Sequence, residues 1–118
     1  MRLYLLRVGR ADCLAEEVEC ASSSLLRLRG LMLRASIPEG YALLIPLSSS
    51  KGSIHMLFMR FPIDLLLLDE HMRVVGIHTL KPWRGIVLFE GVRWAVEMRE
   101  GRALEYGVVI GDALKLAR

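Results

Sequence analysis

The most constraining feature of this sequence is a run of four leucines at residues 65–68, bounded by the acids Asp64 and Asp69. Four residues are far too few to span a bilayer, so the run must be buried inside a folded protein. Near-continuous apolar strands are typical of sheets that are covered on both faces. The sequence therefore predicts a strand over residues 64–68 that is buried on both of its sides.

Length and composition are those of one compact domain spanning residues 1–118. Of the 118 residues, 53% are hydrophobic and 25% are charged, and the formal net charge is +3. That charge is a weak electrostatic footprint for nucleic acid. The N-terminus lacks a sustained apolar stretch with a small-residue cleavage site, so we expect a cytoplasmic protein without a membrane association.

The residue types also carry information about the source of the protein. Asn and Gln are absent, and thirteen Arg stand against three Lys. Few thermolabile amides together with many charges are typical of thermophilic proteins, although an excess of Arg can also reflect genome base composition. We therefore expect a thermophilic source.

Short apolar segments separated by turn signals predict a chain made mostly of strands. The predicted strands cover residues 3–8, 13–20, 41–46, 54–59, 64–68, 73–80, 87–89, 94–98 and 113–116. The first two are expected to form one hairpin, residues 64–80 another, and residues 48–53 a loop. An amphipathic helix is predicted over residues 25–35, and a short one over residues 100–106.

These elements predict an α+β fold. Its mostly antiparallel strands would form a strongly curved sheet or a partly open β-barrel, with one main helix in the N-terminal half of the chain.

One arginine departs from the helical pattern. Arg29 falls between Leu25 and Leu33, inside the apolar arc of the predicted helix. An unpaired guanidinium is very costly to bury, so Arg29 should pair with an acid that is itself out of pattern. Asp64 and Glu97 both qualify, with Asp64 slightly favoured. The pair would either join the helix to the sheet, which we prefer, or line a pocket for a polar or anionic ligand.

A second candidate is the loop formed by Lys81, Pro82, Trp83 and Arg84. Proline makes the loop rigid, and two cations stand beside an aromatic ring that could stack on a ligand. The loop is therefore the best exposed binding candidate, although rigid loops with proline are often plain connections between strands.

The segment around His55 permits two kinds of chemistry. His55 and Asp64 could serve a small hydrolase, yet no nucleophile motif accompanies them. Met56 and Met59 are soft ligands suited to Cu(I), but His55 and Met56 point to opposite faces of a strand. We expect the methionines to fill the core, and we predict no metal and no cofactor.

Several short motifs together resemble a known family. They are Arg29-Gly30-Leu31-Met32, His55 with Met59, Phe61-Pro62-Ile63-Asp64, Lys81-Pro82-Trp83, Ala95-Val96-Glu97-Met98 with Gly101, and Gly111-Asp112. Their order and spacing resemble domain of unknown function 192, also called uncharacterised protein family 127. Met56 departs from the Thr that is commoner there. The resemblance implies a small mixed α/β domain dominated by antiparallel strands, and it implies no established activity.

Three functions follow from these observations. The preferred one is a noncatalytic ligand-binding or accessory domain, and the alternatives are the small hydrolase using Asp64 and His55 and a weak nucleic-acid binder using the Arg-rich surface. The candidate ligand-binding residues are Arg29, His55, Asp64, Lys81, Trp83, Arg84 and Glu97.

Overall fold

The computed structural model describes residues 1–20, 37–47, 51–55, 61–82 and 86–118. Strands dominate this part of the chain, and one short helix accompanies them. In chain order the elements are β1 (Arg2–Arg7), β2 (Arg10–Ala15), β3 (Glu17–Cys20), β4 (Tyr41–Pro46), β5 (Lys51–His55), β6 (Ile63–Leu68), β7 (Val74–Leu80), β8 (Ile86–Glu90), β9 (Trp94–Arg99), α1 (Arg102–Tyr106) and β10 (Ala113–Ala117).

The leucine run is buried in the folded chain, as its apolar composition predicts. It forms β6, an inner strand of a five-stranded sheet with the order β3-β4-β9-β6-β7. Every residue of β6 is buried. The prediction of a strand covered on both sides is therefore confirmed.

The register defines two faces of the five-stranded sheet. Because side chains alternate along a strand, Leu66 and its partner Val96 lie on one face, which we call the first face. Leu65 and its partner Glu97 lie on the other, the second face. Each face belongs to a separate apolar cluster, so the sheet is the middle layer of the molecule.

The first face is covered by a three-stranded antiparallel sheet with the order β10-β1-β2. Leu3, Leu5 and Leu14 of this sheet are fully buried and pack in the same cluster as Leu66. Helix α1 closes the end of this cluster through Ala103. Complete burial of aliphatic side chains stabilises such a layer by about 1.5–3 kcal/mol for each residue.

The second face is covered in part by the two-stranded ribbon β5–β8, whose strands are antiparallel. Val87 and Phe89 of β8 pack in the second cluster with Leu65. The predicted loop over residues 48–53 is wrong at its end, because the strand begins at Lys51, where it pairs with Glu90. Pairing with a distant strand here overrides the local turn signals of Ser, Lys and Gly.

The hairpin predicted over residues 64–80 is confirmed, with β6 and β7 paired antiparallel. Its turn is held by Asp69, whose carboxylate accepts hydrogen bonds from the backbone N–H groups of His71 (2.8 Å) and Arg73 (3.0 Å). Met72 takes the left-handed conformation in this turn, with φ 60°.

The predicted strand over residues 13–20 is divided in the structure. β2 pairs with β1 as expected, but β3 lies in the five-stranded sheet, parallel to β4. The backbone N–H groups of Glu16 and Glu17 both donate to the carbonyl of Gly40, at 2.9 and 3.0 Å. This contact redirects the chain from one sheet to the other.

The described strands form three sheets and no closed barrel, which is compatible with the predicted curved or partly open arrangement. The position of the helix differs from the prediction. The described helix, α1, lies in the C-terminal half, where the sequence predicts a short helix. The predicted main helix over residues 25–35 lies outside the described residues.

Candidate functional site

The residue that stands out on the second face is Glu97. It lies in β9 between Leu43 of β4 and Leu65 of β6, which are 1% and 0% exposed. Ala95, two residues earlier on the same face, is also fully buried. Glu97 nevertheless keeps part of its surface in contact with solvent. Solvent therefore reaches the second face at Glu97, and we call this place the Glu97 recess.

The carboxyl of Glu97 is shielded by its apolar neighbours. Burial raises the pKa of Glu97 from 4.5 to about 7, because the charged form loses hydration. No ion pair of Glu97 is found among the described residues. In the same row across the sheet, the next titratable side chains are Glu19 and His78. Each is two strands away, or about 9.5 Å at the usual strand spacing.

A groove opens where β9 ends. Its volume is about 330 Å³. The described residues that line it are Ile37, Phe61, Pro62, Arg99 and Glu100. Arg99 shares the second face with Glu97 and is exposed, whereas Ala95 is buried. Solvent access along this face of β9 thus increases toward the groove.

Both charged residues of the groove have weakly held partners. Arg99 Nη1 lies 3.8 Å from Glu39 Oε1, and Lys81 Nζ lies 3.3 Å from Glu100 Oε2. All four side chains are at least 40% exposed. Ion pairs in such positions contribute about 0–1 kcal/mol, so a ligand could displace either partner at little cost.

The other out-of-pattern acid, Asp64, lies on the first face. It is 3% exposed, and its carboxylate accepts hydrogen bonds from Thr79 Oγ1 (3.0 Å) and from the backbone N–H groups of Gly101 (3.1 Å) and Ala103 (2.9 Å). These amides belong to the start of α1, which Gly101 cannot cap with a side chain. Asp64 therefore caps the N-terminus of α1, although it lies in a strand that is distant in the chain.

The five-stranded sheet separates Asp64 from Glu97, since the two acids lie on opposite faces. Of the predicted site residues, Lys81 follows β7 and pairs with Glu100 at the groove, whereas Glu97 lies in the middle of the second face. His55 belongs to β5, where its backbone is in register with Ile86. Arg29, Trp83 and Arg84 lie outside the described residues, so the pairing of Arg29 stays a prediction.

Sequence reasoning missed Arg99 and the groove beside it. The sequence did contain one signal. Ala95, Glu97 and Arg99 are spaced two residues apart, so they share one face of β9, and that face changes from apolar to charged along the strand. The remaining walls come from residues far apart in the chain, which no local pattern connects.

None of the helices in the described part of the chain has the length and apolar character needed to cross a membrane.

Two crystal structures of other proteins have the same fold. One, from Sinorhizobium meliloti 1021 and proposed to be a transcription regulator, is 25% identical, with a TM-score of 0.85 over 97% of this chain and 91% of that one. The other, a protein of unknown function from Novosphingobium aromaticivorans DSM 12444, is 19% identical, with a TM-score of 0.84 over 98% and 84% of the two chains.

The sequence is similar to uncharacterised proteins of thermophilic archaea, which agrees with its amide-poor composition. The UPF0127 protein PF1050 of Pyrococcus furiosus is 33% identical over 97% of this chain and 98% of its own length. A UPF0127 protein of Thermococcus gammatolerans is 34% identical over 82% of this chain but only 64% of its own length. The profile of domain of unknown function 192, described as "Uncharacterized ACR", matches residues 6–116. The chain therefore belongs to the DUF192 family of uncharacterised proteins.

Proposed function

We propose that this protein is a noncatalytic binding domain for a small ligand, which occupies the Glu97 recess and the groove at the end of β9. The observation that carries this proposal is the partial exposure of Glu97 between fully buried leucines. A sheet that only needed a packed core would have an apolar residue at this position, because burial of a carboxyl is costly.

The groove has the character of a ligand site. Small-molecule sites have volumes of about 300–1,000 Å³ and combine apolar walls with a few polar groups that orient the ligand. The volume of about 330 Å³ is at the lower end of that range. Among the described residues, the lining supplies apolar surface from Ile37, Phe61 and Pro62, and one charge of each sign from Arg99 and Glu100.

The hydrolase alternative receives little support from the placement of Asp64. Its carboxylate already accepts three hydrogen bonds that hold α1 and β7. It also lies on the first face, whereas the β5–β8 ribbon that carries His55 covers the second. A shared active site would need the two residues on one side of the sheet.

Nucleic-acid binding is also less favoured, although a structural relative is proposed to be a transcription regulator. Described arginines outside the groove face carboxylates within 4 Å, among them Arg7 and Arg10. Arginines neutralised in this way contribute less to the binding of phosphates.

The test is a fragment screen observed by NMR on the full chain. Ligands should shift the backbone amide signals of Glu97, Arg99 and Gly101, and Arg99→Ala should weaken their binding by about tenfold, as for loss of one charged contact. Arg93→Ala is the matched control, because Arg93 is exposed just before the other end of β9. A screen in which no fragment perturbs these amides, or in which both variants bind equally well, would contradict the proposal.

A further inference from the structure

We infer that the ligand is an amino acid with an apolar side chain, whose ammonium group contacts Glu97 and whose carboxylate contacts Arg99. This inference rests on the proposed binding function and adds the chemical class of the ligand. It is carried by three observations: the placement of two opposite charges on one face of β9, their different burial, and the apolar walls beside them.

The placement follows from the geometry of the strand. Glu97 and Arg99 are two residues apart, so their side chains leave the same face of β9 from Cα positions about 6.8 Å apart. Both side chains are long enough to converge above the strand. A molecule with neighbouring positive and negative groups could therefore contact both side chains at once.

The difference in burial between Glu97 and Arg99 determines how the ligand is oriented in the site. Glu97 lies between buried leucines, whereas Arg99 is 54% exposed at the groove. A cation placed beside the shielded carboxylate replaces the hydration it has lost, and an anion there would be repelled. An anionic group is favoured at the rim, where Arg99 can exchange Glu39 for a ligand carboxylate in a bidentate contact.

The apolar walls define the rest of the molecule. Ile37, Phe61 and Pro62 line the groove next to Arg99. An aliphatic side chain of the ligand would bury its surface there, at about 25 cal/mol for each Å² removed from water. A purely ionic ligand such as phosphate would leave these walls without contacts.

Leucine and its two truncated analogues test this inference by isothermal titration calorimetry. 4-Methylpentanoate lacks the amine, and 3-methylbutylamine lacks the carboxylate, while the isobutyl group is kept in both. We expect leucine to bind at least tenfold more tightly than either analogue. Equal affinity of leucine and 4-methylpentanoate, or of leucine and the amine, would overturn the assignment.

Two variants assign the contacts to their residues. Glu97→Gln should remove the advantage of leucine over 4-methylpentanoate, and Arg99→Ala should remove its advantage over 3-methylbutylamine. Glu90→Gln and Arg93→Ala are exposed controls that should leave both ratios unchanged. An unchanged leucine affinity in Glu97→Gln would overturn the inference.

The outcomes separate this inference from the proposed function. If fragments bind at the groove but neither leucine nor other apolar amino acids shift the amides of β9, the ligand class is wrong and the binding function stands. If the fragment screen also finds nothing at the groove, both are wrong.

Discussion

At the scale of single residues, the two acids that depart from the apolar pattern have different roles. Asp64 is satisfied by three donors and holds neighbouring elements together. Glu97 lies in an apolar environment that raises its pKa to about 7. Both look alike in sequence, because each interrupts a run of buried residues. Their difference comes from the groups that reach each carboxylate in the folded chain.

The raised pKa of Glu97 makes stability depend on pH. The folded state retains the proton up to about pH 7, whereas an unfolded chain releases it near the ordinary value of 4.5. The free energy of unfolding should therefore fall as pH rises from about 4.5 to 7, by about 2–3 kcal/mol. Glu97→Gln should abolish this loss and be more stable than the parent at pH 8. Urea unfolding between pH 5 and 8 measures both effects.

Glu90→Gln serves as the control for that experiment, because Glu90 is exposed. A Glu97→Gln protein less stable than the parent at pH 8 would indicate that a cation already pairs with Glu97. Arg29 is the candidate that the sequence predicts for such a pair. The same result would count against an ammonium group as the ligand's contact.

At the scale of elements, α1 depends on β6 for its existence. Five residues are too few for a helix to be stable by itself in water. Its N-terminal amides donate to Asp64, while at its C-terminal end Arg7 Nη2 donates to the carbonyls of Tyr106 (2.6 Å) and Gly107 (3.1 Å). The helix is thus held at both ends by side chains from strands of two different sheets.

Asp64→Ala should destabilise the protein by about 2–4 kcal/mol, because it removes a cap and leaves the buried amide of Ala103 without its acceptor. Faster hydrogen exchange at the amides of α1, together with urea unfolding, measures the effect. Thr79→Val removes only the hydroxyl donor to the same carboxylate, so it should cost about 1 kcal/mol. Comparable losses in the two variants would show that Asp64 does not cap the helix.

At the scale of the whole molecule, the five-stranded sheet joins two separate apolar clusters. Both clusters contain fully buried residues, among them Leu66 on the first face and Leu65 on the second. The second face also carries the partly exposed Glu97, so it contributes both to the packed core and to the candidate site.

The layered core predicts unequal effects of the same substitution at a buried and an exposed leucine. Leu66→Ala should cost about 2–5 kcal/mol, because Leu66 is fully buried in the first cluster and its loss leaves a cavity. Leu104→Ala should change stability by less than about 0.5 kcal/mol, because Leu104 is 88% exposed on α1. Thermal unfolding of the two variants provides the comparison. A loss below 1 kcal/mol for Leu66→Ala would contradict the layered core described above.

The sequence alone determined where most elements lie. The strand Tyr41–Pro46, the hairpin over residues 64–80 and the short helix before Gly107 follow from apolar runs and turn residues. These signals are local, because they depend on a few neighbouring side chains and on backbone preferences. Asp64 and Glu97 could be recognised as unusual for the same reason, because each is an acid within a local run of apolar residues.

Only the tertiary structure decided which elements meet. β9 lies between β4 and β6, and this pairing of distant segments places Glu97 between Leu43 and Leu65. Register sends Asp64 to the opposite face, since a shift of one residue would reverse every side chain. Contacts between segments far apart in the chain also determine three other features. These are the break between β2 and β3 at Glu16, the start of β5 and the groove at Arg99. Such contacts leave no periodic trace in the sequence, and they determine which of its unusual residues can form a site.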